Sequence, residues 1–313
     1  MVLKNSFNFV NEFLNLVSEQ VRKIYLNSKY YNNKISQIDE KNLDYKPSQN
    51  LFNCIFKYEK KREKIENYYI NSIWTNEIGN YKDYKKLHSF FWLFTLDLKS
   101  SKRATQSIIL NWIESNSNYN PKNWEMNILS KRLISWISNS KLTYEDSNIE
   151  YKKKFNFIVK KQINHLINEI KRSELFDDKI IGCAAIILIG LSYKDEKILK
   201  YGIDLLYKII KYSLTEEFFP KSRNIRQLVF YLKYLVLIRE LLNESQNEVP
   251  EYLNETIFYL GQSYNFLWQK NKRSFLFNGN YEANNEDFDN YLEIHGYKFK
   301  NVSNEIGGYS ILK

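Results

Sequence analysis

The chain has 313 residues, 43% hydrophobic and 16% aromatic, enough to bury a large core, while nine glycines and four prolines are too few for a turn-rich all-β protein. Lys and Arg number 46 against 36 Asp and Glu, and the net charge of +10 favours anionic partners: acidic polysaccharide, nucleic acid or a membrane surface. Cys54 and Cys183 lie far apart in apolar surroundings and indicate no disulfide framework; His88, His165 and His295 show no metal-ligand spacing; no P-loop or GxGxxG is present, so neither metal nor nucleotide cofactor is expected.

The N-terminal twenty residues lack a continuous apolar run and a small-residue cleavage site, so no signal peptide is expected. The longest apolar run, around Ile180 to Leu191, falls short of the roughly 20 residues that span a bilayer. A cytoplasmic product without membrane contact is the expectation, with the periplasm left open. Residues 6–29 read as an amphipathic helix carrying Phe7, Val10, Phe13, Leu14, Val17, Val21, Ile24 and Tyr25. Residues 30–75 are polar and mixed, crossed by Pro47, and read as irregular chain draped over a helical body. Within them Lys60, Lys61, Arg62 and Lys64 read as a solvated face.

Helices are predicted over 84–98, 105–113 and 124–137, then near 148–171, 179–192, 195–213 and 250–270, joined by polar turns such as Asn120-Pro121. The order suggests successive helical hairpins, each about 40 residues long. After Trp268 comes an acidic segment with Glu282, Glu286, Asp287 and Asp289. Gly307 and Gly308 then precede an alternating pattern that reads as entry into a β-strand.

The strongest site candidate is the stretch from Thr215 to Leu242, TEEFFPKSRNIRQLVFYLKYLVLIRELL. It sets Lys221, Ser222, Arg223, Asn224 and Arg226 at the start of a long helix, where unpaired N–H groups and a partial positive charge already attract anions. The alternative is that Ser222 or Asn224 caps the helix and the basic residues are solvated. Trp124, Ile128, Arg132 and Trp136 recur every four residues. Such a stripe suits stacking on a sugar ring with pairing of its carboxylate, and equally a packing seam with a buried arginine. His88, one turn from Trp92, reads as structural or catalytic. A nucleic-acid-binding helical solenoid is disfavoured, because the aromatic residues follow core stripes rather than interleaving with basic ones.

LHSFFWL (Leu87 to Leu93), the W-x-x-x-x-LSKRLISWI segment (Trp124 to Ile137), SRN (Ser222 to Asn224) and FNG (Phe277 to Gly279) occur in this order. Together they resemble the N-terminal half of the heparinase II/III-like proteins of bacteria, over most of residues 74–313. The closing GGYSIL is similar to the segment by which that family enters its C-terminal β-sandwich. The resemblance implies an all-α fold, an incomplete α/α toroid of helical hairpins over 76–300, preceded by a helix and arm over 1–75. Residues 301–313 would begin a β-sandwich that this chain does not complete.

The implied activity is β-elimination of an acidic, uronic acid-containing polysaccharide, with a separate β-sandwich chain as a further partner; the alternative is a non-catalytic helical scaffold that binds an anionic polymer, glycan or nucleic acid. On this reading Asn224, Tyr231 and His88 are the catalytic candidates. Lys221, Arg223, Trp124, Arg132 and Trp136 are the substrate-binding ones. The chain departs from the family where an Asn-His pair is replaced by Asp177 and Asp178. It departs again where a glycine-rich Asp-Gly turn is replaced by Glu217, Phe218, Phe219 and Pro220, and where the catalytic Tyr of some members would fall near Gln227.

Overall fold

The computed structural model describes residues 14, 16–37, 41–48, 51–52, 74, 80–95, 102–267, 285–299 and 305–310. Phe7, Val10, Phe13, Cys54, the Lys60 to Lys64 run, Trp268, Glu282 and the Phe277 to Gly279 motif lie outside them, as do the expected boundaries near 75 and 300.

Almost all the regular structure is helical. After a helical stretch over 16–26, the elements are α1 (Lys29–Ile35), α2 (Tyr81–Ser89), α3 (Lys102–Asn116), α4 (Met126–Ser138), α5 (Ser140–Thr143), α6 (Ile149–Glu169), α7 (Phe176–Ser192), α8 (Glu196–Ser213), α9 (Ile225–Glu244), α10 (Glu251–Leu267) and α11 (Glu286–Ile294). A two-stranded antiparallel hairpin, β1 (Glu305–Ile306) and β2 (Tyr309–Ser310), follows. Among the described residues no helix is long and apolar enough to cross a membrane.

The helices form two layers. In one, α2 packs on α4, α4 on α7, and α7 on α9. In the other, α3 packs on α6, the Tyr201 hydroxyl of α8 donates to Ile167 O of α6 at 3.3 Å, and that of Tyr252 of α10 to Ile203 O of α8 at 2.9 Å. Sequence dictates which helix goes where. Every residue of α7 from Ile180 to Ser192 is buried, as a helix apolar all round must be, and α7 sits within the first layer between α4 and α9, with α8 of the other layer packed against it. The helix α8 buries only a stripe, Gly202, Leu205, Leu206, Ile209, Ile210 and Ser213, and lies outside it.

Glycine sets how closely α7 and α8 approach. A Cβ on Gly190 would lie 2.6 Å from Leu199 N and 2.7 Å from Leu199 Cα, and backbone atoms have no rotamer by which to withdraw. Gly190→Ala is therefore expected to lower unfolding free energy by about 1–3 kcal/mol, read from urea denaturation. An unchanged midpoint would show that the two helices slide apart without penalty.

Most predicted helices stand with shifted ends, but the one over 84–98 does not continue through. Helix α2 stops at Ser89, Phe90 takes a left-handed conformation (φ 57°), and a 3₁₀ turn follows over Phe91–Thr95. The aromatic residues there bury in more than one direction, which one straight helix does not allow. Phe90 stacks on Trp74 and meets Trp112 and Trp136 edge-on, and its carbonyl accepts from Ser135 Oγ at 2.5 Å. The arm over 30–75 also contains α1, capped by Ser28, whose Oγ accepts from Tyr31 N at 3.1 Å. The expected single strand near the end is a hairpin closed by Gly307 and Gly308, both at positive φ.

Candidate functional site

The segment before α9 is a tightly tied loop. Leu214 and Pro220 form a bridge, Thr215 N donates to Phe219 O at 2.8 Å, and Lys221 N donates to Ser213 O at 2.9 Å. Phe218 and Arg223 hold left-handed conformations (φ 57° and 53°), each costing a non-glycine residue about 1–2 kcal/mol. Asn224 realises the capping alternative: its Oδ1 accepts from Arg226 N at 2.9 Å and Gln227 N at 3.4 Å. Ser222 Oγ donates to Gln227 Oε1 at 2.6 Å, and Gln227 Nε2 donates onward to Asp177 Oδ1 at 2.6 Å. Lys221, Arg223 and Arg226 are exposed on the rim.

The terminal hairpin rests on this loop. Gly307 N donates to Glu217 Oε2 at 3.2 Å, the Tyr309 hydroxyl donates to Arg223 O at 2.8 Å, and the Phe219 and Tyr309 rings lie 5.7 Å apart. Both glycines hold a positive φ that disfavours a side chain, and Gly307 is fixed by close approach as well. A side chain at Gly307 would overlap the Phe219 ring, and a Cβ at Gly308 would lie 3.0 Å from Arg223 Nη2.

Beneath the loop the starts of α4, α7 and α9 converge. Asn127 Nδ2 donates to Asp178 Oδ1 at 2.8 Å, as Gln227 does to Asp177, so the three helices run parallel with their N-termini at one end. Asp177 and Asp178 occupy the first turn of α7, where the helix start stabilises carboxylates. Glu125, preceding α4, pairs with Lys85 Nζ at 2.6 Å and accepts from the Tyr81 hydroxyl. Burial raises the Asp178 carboxyl above its usual range and Glu125 and Asp177 push the same way, against the Asn127 amide. Burial likewise lowers the Lys131 ammonium, with Asp178 opposing. The floor is thus acidic, and the loop above it mixes exposed Lys221, Arg223 and Arg226 with exposed Glu216 and Glu217; carboxylates from the chain itself already answer the positive helix ends.

The remaining candidates lie inside the protein. Tyr231, one turn into α9, is 1% exposed; burial and then the charge of Asp177 raise its hydroxyl, which opposes the phenolate a general base needs. His88 is 2% exposed, stacks on Tyr84 and accepts from Trp112 Nε1 at 3.1 Å. Burial, then the charge of Arg132, pulls its pKa down to about 3, so it stays neutral at pH 7.

Arg132 is 0% exposed. Its Nε donates to Gln162 Oε1, and its Nη1 to His88 O and Asn123 O, each at 3.0 Å; the guanidinium lies 4.1 Å from the Trp112 ring centroid. Trp136 packs among Phe90, Trp112 and Phe155, and Trp124 meets His165 edge-on at 5.3 Å. The Trp124 to Trp136 stripe is therefore a packing seam with a buried arginine.

Two groups result: Lys221, Arg223 and Asn224 at the loop, and His88, Arg132 and Trp136 within the core. The residues missed from the sequence, Glu125, Asn127 and Lys131, sit in or beside the first turns of α4, the same end at which α7 carries Asp177 and Asp178. That alternation of helices was the available signal.

A cavity of about 150 Å³ adjoins the start of α4, lined by residues including Leu26, Tyr119, Trp124, Glu125, His165 and Glu169. The carboxylates of Glu125 and Glu169 on its wall oppose an acidic ligand. Comparison of the chain with protein-family models, curated proteins and solved structures finds no match.

Proposed function

We propose that the chain is the helical part of a heparinase II/III-like protein, with its paired helices forming an incomplete α/α toroid. It binds an acidic polysaccharide along the rim of Lys221, Arg223 and Arg226, and its own side chains do not carry out β-elimination. The layered hairpins and the +10 charge support this reading. The observation that carries it is the seating of the Glu305–Ser310 hairpin on the loop that bears Ser222, Arg223 and Asn224. The resemblance implies that helical and β-rich parts face each other across the glycan at that loop.

Binding rather than cleavage follows from the chemistry. Asn224 spends its acceptor oxygen on the helix cap, the Tyr231 hydroxyl is raised rather than lowered, and His88 is enclosed. Asp177 and Asp178 would repel a uronate carboxylate brought down to the floor. A polymer held on the rim keeps its carboxylates near the cations and offers its hydroxyls to the acids.

The test is a titration of fluorescent heparan sulfate, alginate and hyaluronan oligosaccharides with the full chain, with absorbance of the unsaturated product followed in parallel. Saturable, salt-weakened binding to at least one is expected, with flat absorbance. The pair Lys221→Glu and Arg226→Glu should weaken it about tenfold or more. A rise in absorbance overturns the non-catalytic reading, and absent or variant-insensitive binding overturns the rim.

A further inference from the structure

The cavity beside the start of α4 is bounded by three rings that do not lie parallel. The centroids of Tyr119 and Trp124 are 6.2 Å apart with the planes at 69°, those of Trp124 and His165 5.3 Å at 83°, and those of Tyr119 and His165 5.1 Å at 42°. The rings therefore wall the space from different directions instead of stacking as one slab. Its volume of about 150 Å³ suits one compact group of benzene size. Glu125 and Glu169 are the charged members of the lining, and both are acidic. Ring faces carry the negative part of the aromatic quadrupole, so rings and carboxylates together favour a cation.

The protein already places a cation there. Arg22 forks onto Glu169, its Nε donating to Oε2 at 3.2 Å. Its charge opposes the burial that raises the Tyr119 hydroxyl and adds to the burial that lowers the His165 imidazole, so the guanidinium lies beside the same rings. Arg22 belongs to the helix over 16–26, which turns Val21 and Ile24 to solvent and meets the body through Arg22, Tyr25 and Leu26. By offsetting the charge of Glu169, Arg22 weakens the pull of the cavity on any second cation.

The polar atoms of the lining decide which cation fits. The Glu169 carboxylate accepts from Arg22, and that of Glu125 from Lys85 and the Tyr81 hydroxyl. His165 donates to the Trp124 carbonyl, and its Nδ1 accepts from the Tyr31 hydroxyl at 2.8 Å. A primary ammonium brings three N–H donors and would have to draw acceptors out of these bonds. A fully methylated ammonium donates none and is held by charge and ring faces alone. A metal ion has less to hold it, since among the described residues no group of three or more His, Cys, Asp and Glu could ligate one.

We propose that this cavity binds a small, free methylated ammonium cation, its methyl groups against Tyr119, Trp124 and His165 and its charge toward Glu125 and Glu169, with Arg22 holding the affinity down. Isothermal titration of the full chain with choline tests it, beside two further probes: the neutral tert-butyl isostere of choline, and phosphocholine, which carries the same head next to a phosphate. Choline should bind saturably and the isostere about threefold or more weakly. Phosphocholine should also bind more weakly than choline, because the carboxylates oppose its phosphate. Tyr119→Leu should weaken choline binding about threefold or more, Glu169→Gln should weaken it, and Arg22→Gln should strengthen it. The three probes compared on the unaltered chain decide the matter even where a variant fails to fold. No saturable choline binding, or equal binding of the isostere, would overturn the proposal. So would choline binding indifferent to both Glu169→Gln and Arg22→Gln, and phosphocholine binding as tight as that of choline, which would point to a lipid headgroup.

Discussion

Replacing Arg132 with leucine is expected to lower unfolding free energy by about 3–5 kcal/mol. Two effects oppose each other. Removing the guanidinium relieves the cost of holding a charge in the core, a cost visible in the fall of its pKa to about 9, which leaves it charged at neutral pH. Against that, three buried acceptors, His88 O, Asn123 O and Gln162 Oε1, lose their donor at once, each costing about 1–3 kcal/mol. A gap also opens beside Trp112, on which the guanidinium now lies. Three stranded acceptors outweigh one relieved charge.

Arg132→Lys keeps the charge but presents donors from a single point, so it should recover only part of the loss. Urea denaturation followed by tryptophan fluorescence measures both. A loss under about 1 kcal/mol for Arg132→Leu would mean that the acceptors find other partners. The arginine would then not be what joins the stretch around His88 to α4 and α6.

Acid should destabilise the protein well before its ordinary carboxylates titrate. His88 and His165 are both buried, and burial lowers each to a pKa of about 3, with the charge of Arg132 contributing to both. In the unfolded chain both return to the usual imidazole value near 6.5. Between those values the unfolded state binds more protons. The histidine contribution is therefore fully present above pH 6.5 and is lost as pH falls toward 3.

Between about pH 7 and 4.5 each histidine should remove about 2–3 kcal/mol of stability. Substituting His165 by Gln should flatten the slope of unfolding free energy against pH by about half across that interval. Wild type and variant sharing one slope would show that His165 takes up a proton while the Tyr31 hydroxyl, 2.8 Å from its Nδ1, remains in place.

The helices were legible because apolar periodicity reports a buried face directly. The run from Ile180 to Leu191 showed as the longest apolar stretch of a helix, and the Ser-Arg-Asn entry showed as an anion site with capping as the alternative, of which the structure realises the cap. What periodicity does not report is the neighbour. Trp124, Arg132 and Trp136 at four-residue spacing form the same stripe whether they meet a sugar or another helix, and only the carbonyls of His88 and Asn123 decide it. In the helix over 16–26 the same signal pointed outward. The break at Phe90 was hidden because an aromatic residue carries no turn signature, and its left-handed conformation follows from the ring's tertiary contacts.

The acidic floor was partly visible as two consecutive aspartates where the resemblance implied Asn and His. Their pairing with Asn127 and Gln227 needs the parallel packing of α4, α7 and α9, which no local pattern contains. The contact of the hairpin with the loop also spans more than eighty residues; Gly307 and Gly308 announced a turn but not what it rests on.

Amide hydrogen exchange of the full chain, with and without a saturating acidic oligosaccharide, tests the central claim most directly. Binding at the rim should slow exchange in the loop over 213–227 and in the hairpin over 305–310, and leave the amides around His88 and Arg132 unchanged. Protection confined to the core stripe around Trp124, Arg132 and Trp136, or none at the loop and hairpin under saturation, would contradict it.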